Sequence, residues 1–146
     1  MESALAEGGT NRQELVQALE RAPAAQRDGI QFLLANMPTR DLRALSAGFL
    51  LENLALAYKA MQEAPWAKSV PAEIFLNDVL PYASVTEQRD NWRKRLYDIC
   101  GPLVKDCKTP AEAGQALNRQ LFKLLKVKYS RSRRAPSPPP RRCPPI

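Results

Sequence analysis

The stretch RDNWRKRLYDICGPLVKDCKTPAEAGQALNRQLFKLLKVKY, residues 89–129, decides the fold class. Trp92, Leu96, Ile99, Cys100, Leu103, Val104 and Cys107 recur at intervals that put them on one face of a helix over about residues 89–107. Gly101-Pro102 interrupts that stripe and predicts a kink, because proline offers no N–H to the helical ladder. Thr109-Pro110-Ala111-Glu112 then reads as a capping box with proline at the first helical position. Beyond it Ala113, Ala116, Leu117, Leu121, Leu124 and Leu125 continue one face as far as Val127. Two consecutive helices are expected here.

The same period extends upstream. Leu15, Val16 and Leu19 mark a first helix, and Ile30, Phe32, Leu33 and Leu34 a second that opens near Pro23 and ends at Asn36-Met37-Pro38. Thr39 offers a cap for a short turn through Leu42 and Leu45. Ser46 can cap a longer helix carrying Phe49, Leu50, Leu54, Tyr58 and Met61, with an end near Pro65. Pro71 suits a first-turn position, and Ile74, Phe75, Val79 and Leu80 follow until Pro81. No segment alternates with the period of a strand, and no internal repeat emerges. The expected fold is all-α: a flexible N-terminus at 1–10, a multi-helix segment at 11–129, and a disordered, basic, proline-rich tail at 130–146.

Charge separates the last two parts. The chain has 22 Lys and Arg against 15 Asp and Glu. Seven of those bases (Lys126, Lys128, Arg131, Arg133, Arg134, Arg141 and Arg142) lie in residues 126–146, which contain no acid. The remaining 15 bases balance the 15 acids, so the basic character belongs to the tail and not to the helices. Pro136, Pro139 and Arg141 have the spacing P-x-x-P-x-R, which suits an aromatic groove that reads a polyproline II helix with a basic flank. The tail arginines, Arg133, Arg134, Arg141 and Arg142, could also neutralise phosphates. A nucleic-acid partner is nevertheless disfavoured, because the segment has no aromatic residue beyond Tyr129 on which a base could stack.

There is no histidine among the 146 residues. A Ser-His-Asp or Cys-His pair therefore cannot be assembled, and imidazole metal ligands are excluded. Cys100 and Cys107, seven residues apart on one helix, would stand about 10.5 Å apart, beyond the roughly 7 Å a disulfide spans. Both are read as small buried apolar residues. No catalytic, cofactor-binding or metal-ligating residue is assigned. MESALAEGGTNRQ has neither the basic nor the apolar region of a signal peptide, and AGFLLENLALAYKAM is broken by Glu52, Asn53 and Lys59 and does not read as a membrane span. The compartment stays open.

Two polar clusters interrupt the helices: Asn77, Asp78 and Tyr82, then Arg89, Asp90, Trp92 and Arg93. Asp78 and Asp90 as a carboxylate pair would suit acid–base work. Lacking a nucleophile or histidine nearby, the cluster reads instead as structural, its acids pairing with Arg89 or Arg93, or capping helix ends, and so fixing an interhelical angle. Trp92, opening the most regular stripe, is expected to be a buried anchor.

From about Ala47 to Tyr129 the chain resembles the N-terminal helical region of bacterial transglutaminase-like proteins. The residues that carry this are FLLENLALAYKA, IFLNDVLPYASV, QRDNWRKRLY and above all PLVKDCKTPAEAGQALNRQLFKLLKVKYS. The resemblance implies a following core of papain-like cysteine-protease fold, with a cysteine at the N-terminus of a buried helix and then a histidine and an aspartate. Cys143 does not match that position: it lies in RRCPPI, three residues from the end, where no helix can start. Cys100 and Cys107 do not match it either. The implied role is structural, with the missing core as the intramolecular partner and an exposed apolar face at Leu121, Phe122, Leu124 and Leu125 open to self-association. The switch to Arg, Pro and Ser after Tyr129 is expected to be an out-of-frame reading. The alternative is an autonomous helical interaction module whose basic proline-rich arm binds a protein or nucleic acid.

Overall fold

The computed structural model describes residues 1–84 and 86–126. Among them are eight α-helices and no strand: α1 (Glu2–Glu7), α2 (Arg12–Arg21), α3 (Arg27–Asn36), α4 (Thr39–Leu42), α5 (Ala47–Glu63), α6 (Ala72–Ile74), α7 (Trp92–Val104) and α8 (Pro110–Leu124). The expected tail lies outside the described residues.

Helices α1 to α6 enclose one core. Leu15, Ile30, Leu34, Leu50, Leu54 and Leu80 are fully buried at its centre, and α5 is the helix against which α2 and α3 pack. Gly29 makes room for two side chains of α5: a Cβ there would lie 2.7 Å from the Tyr58 hydroxyl and 3.2 Å from Leu54 Cδ1, so both pack directly on the α3 backbone. Ser46 caps α5 as its sequence position predicts, accepting from the Phe49 N–H at 3.2 Å. Glu14 adds a cap from another helix, its carboxylate accepting from the Ala47 N–H at 2.7 Å.

Residues 1–10, expected as a flexible N-terminus, contain a short helix. ESALAE forms α1, with Ala4 buried and Leu5 against the core. The Thr39 hydroxyl donates to the Glu7 carboxylate at 2.8 Å, and Arg43 Nε donates to the Glu7 carbonyl. Thr39 therefore ties α4 to α1 and leaves the N-cap position to Pro38.

After α6 the chain widens into a π-helical turn over Phe75–Val79, closed by the Leu80 N–H donating to the Phe75 carbonyl at 2.8 Å. Phe75 and Leu80, five residues apart, are both buried. The Phe75 ring stands edge-on to Tyr58, with centroids 4.8 Å apart.

Helices α7 and α8 form a hairpin outside this core, α7 lying on α5 and α8 on α7. The helix passes through Pro102 and ends at Val104, so Cys107 falls in the connection and not on the helix. Cys100 and Cys107 are free and only half-buried. No residue of α7 is fully buried, and Ala113 alone is buried in α8. The regular stripe is therefore a one-sided contact, not a core element. Thr109 caps α8 through the Glu112 N–H, while the Glu112 carboxylate accepts from Lys108 N–H rather than from Thr109.

Candidate functional site

Two features meet where the hairpin joins the core: a polar junction and an apolar groove. Asp41 anchors the junction. It sits in the short helix α4 beside Leu42, and its carboxylate is almost wholly buried. Arg89 reaches it from the segment before α7, with Nε at 3.1 and 3.0 Å from the two oxygens and a terminal nitrogen at 2.8 Å. The Tyr82 hydroxyl donates to the same carboxylate at 2.8 Å. Arg89 also donates to the carbonyls of Ser84 and Glu87, which folds the intervening loop around its guanidinium. Arg40 lies on the solvent side, with Nε 3.5 Å from Asp41.

Arg93, the second residue of α7, is held differently. Its guanidinium donates to the carbonyls of Val79 at 2.9 Å, Leu80 at 3.2 Å and Pro81 at 2.6 Å, and to the Asn53 side-chain oxygen at 3.3 Å. Those carbonyls end the α6 and π-helical segment, where a cation also meets the negative end of the helix dipole. Burial lowers the Arg93 pKa from its ordinary value. Asn53, fully buried, turns its amide nitrogen to the Phe49 carbonyl at 2.9 Å. Trp92 is half-buried, not the expected buried anchor, and its indole N–H donates to the Tyr82 carbonyl at 2.8 Å.

The structure thus brings Tyr82, Arg89, Trp92 and Arg93 together and leaves Asn77, Asp78 and Asp90 exposed. Asn77 caps back onto the Glu73 carbonyl. The carboxylate that Arg89 meets is Asp41, not the expected Asp78 or Asp90. Asp41 is 48 residues from Arg89, so local pattern did not connect them. A signal was nonetheless present in TRDLRAL: Asp41 shares a helical face with Leu45 and neighbours Leu42, both buried. An acid on an apolar face needs a cation.

Tyr82 carries a testable pH dependence. Burial first, then the hydrogen bond to Asp41, raise its phenol pKa well above the ordinary 10.0. A folded-state pKa above the unfolded one adds stability that is fully present below about pH 10 and is lost as pH climbs past that value. Thermal midpoints are expected to hold up to about pH 10 and to fall above it. Tyr82→Phe should flatten that alkaline limb. An unchanged limb in Tyr82→Phe would assign it to other groups.

The groove runs between α5 and α7. Its volume is about 870 Å³, and Leu56, Trp66, Trp92, Leu96, Tyr97 and Cys100 are among its walls. Tyr97 bonds Glu63 at its edge, and Lys59 lies 4.9 Å from the Tyr97 ring centre. Burial raises the Cys100 thiol pKa above its ordinary value. Among the described residues no group of three or more His, Cys, Asp or Glu side chains could hold a metal ion, and no helix is long and apolar enough to cross a membrane.

Fold and junction together define an all-α protein with a closed core and an appended hairpin. No family model, no curated protein and no solved structure matches the chain.

Proposed function

We propose that the chain is a non-catalytic packing module, the helical part of a transglutaminase-like protein that lies against a thiol acyl-transfer or peptidase-like core. The observation that carries this reading is the contrast between the two halves. The core of α1 to α6 is closed, whereas Phe122 and Leu124 of α8 are 61% and 48% exposed and the adjoining groove is open. Exposed apolar side chains and an open, largely apolar groove beside a finished core suit an interface. With no histidine in the chain, the base and thiolate activation of such enzymes must come from elsewhere.

The test is the gene itself. Reading the other two frames beyond codon 130 is expected to give, within a few tens of codons, a cysteine opening an apolar helix, followed by a histidine and an aspartate. If every frame closes quickly or encodes no such pattern, the packing-module reading fails. The second reading, an autonomous helical interaction module with a basic proline-rich arm, then stands. Its support is the completeness of the α1 to α6 core, which needs no partner to bury Leu15, Leu34 or Leu50.

A further inference from the structure

We propose that the α5–α7 groove docks a polyproline II helix, and that its occupant is this chain's own segment PSPPPR, residues 136–141. This docking concerns only what the 146-residue chain does with its own end, so it stands or falls apart from the frame of the gene. The walls have the chemistry that proline needs. The chain has two tryptophans, Trp66 and Trp92, and both line the groove together with Tyr97. Ala60 and Gly101 lie in the same lining and leave space for a ligand to approach those rings. A polyproline II helix packs its rings on such aromatic faces and has no internal hydrogen bonds, so its carbonyls seek donors from the groove. The Trp92 indole N–H is spent on the Tyr82 carbonyl, and the Tyr97 hydroxyl on Glu63. The Trp66 indole N–H has no partner among the described residues and is the donor left for a docked carbonyl.

Length and reach select this chain's own end as the occupant. The groove follows α7 from Trp92 to Val104, about 18 Å at the helical rise. The five residues 136–140 would span about 15 Å as a polyproline II helix. Lys105 lines the groove, and α8 starts at Pro110 and lies back on α7 over a length of about 22 Å. The ten residues from Lys126 to Pro136 can extend up to about 33 Å, enough to pass round α7 and enter the groove. Charge is not what selects the segment. The carboxylates of Glu63 and Asp98 are each met by a lysine, and Arg93 and Lys105 balance them in the lining. The tether does the selecting, because it holds the segment at high effective concentration beside its site.

Tryptophan emission reads the groove directly, since Trp66 and Trp92 both face it. The full chain is compared with a variant in which Pro136, Pro138, Pro139 and Pro140 are all replaced by glycine, which leaves every described residue untouched. Acrylamide quenching should rise in the variant, and the protection in wild type should be the same at every protein concentration. A free peptide SRRAPSPPPRR, residues 132–142, should bind the variant, restore that protection and persist in added salt. With a tether worth about 1 mM and a free peptide that binds at about 0.1 mM, wild type should bind the peptide about tenfold more weakly than the variant. The same peptide with glycine for each proline should not bind. Trp66→Phe in the variant should weaken the peptide while circular dichroism shows the helices unchanged.

Equal quenching in the two chains would overturn the proposal, as would a peptide that fails to bind the variant or binds both chains equally. Equal binding of the glycine peptide, or full affinity after Trp66→Phe, would overturn the proline and indole recognition. Protection that grows with protein concentration would place the tail of another copy in the groove and overturn docking within one chain.

Discussion

Arg89→Ala is expected to destabilise the fold by about 3–5 kcal/mol, the range for removing one partner of a buried ion pair. Both side chains are withdrawn from water, with 13% exposure for Arg89 and 5% for Asp41, so solvent screening discounts little of this. The loss has two parts. The Asp41 carboxylate keeps the Tyr82 hydroxyl and the solvent-side Arg40 but loses three charged hydrogen bonds, and the loop carbonyls of Ser84 and Glu87 lose their shared donor. Arg89→Lys should recover only part of it, because an ammonium cannot reproduce the fork that grips both carboxylate oxygens. The double variant Asp41→Leu, Arg89→Met should be less destabilised than Arg89→Ala alone, since no buried charge is then left unpaired. Denaturant midpoints measure all three. A loss under about 1 kcal/mol in Arg89→Ala would mean that water reaches the pair.

Leu54→Ala should cost about 2–5 kcal/mol, the range for deleting a fully buried leucine side chain. The position argues for the upper half of that range. Leu54 has no exposed surface, and its side chain packs on the α3 backbone at Gly29. A glycine has no side chain that could move into the void, so most of it should remain. Leu124→Ala is the control: at 48% exposure on α8 it should change stability by less than about 0.5 kcal/mol. Comparable losses for the two variants would contradict the division into a closed core and an open hairpin.

Helices with a periodic face and a capping residue were legible. Ser46 and Thr109 cap the helices their positions announce, and the all-α class follows from residues 89–129 alone. Burial was less legible than periodicity. Trp92, Leu96 and Leu103 fall on a regular stripe, yet a stripe reports only that one side meets something, not how completely it is enclosed. Residues 1–10 looked unstructured because Gly8-Gly9-Thr10 follows a six-residue helix too short to stand alone; contacts with α2 and α4 supply what length does not. Asp41 was hidden for another reason. Its partners Tyr82 and Arg89 are 41 and 48 residues away, and pairing across that distance is a property of the packed chain.

The π-helical turn at Phe75–Val79 acts as a phase shifter. An α-helix would turn residues five apart well away from one another, whereas the wider turn brings Phe75 and Leu80 back to the same side. Everything downstream inherits that offset: the carbonyls of Val79, Leu80 and Pro81 that receive Arg93, and the Tyr82 backbone and hydroxyl that meet Trp92 and Asp41. Removing one residue, even the exposed Asn77, would rotate all of these acceptors together by about 100°. Every bond between core and hairpin at this point would then be mis-aimed, although no bonding side chain had been changed. Chain length within this one turn, more than the identity of any residue in it, keeps the two halves in register.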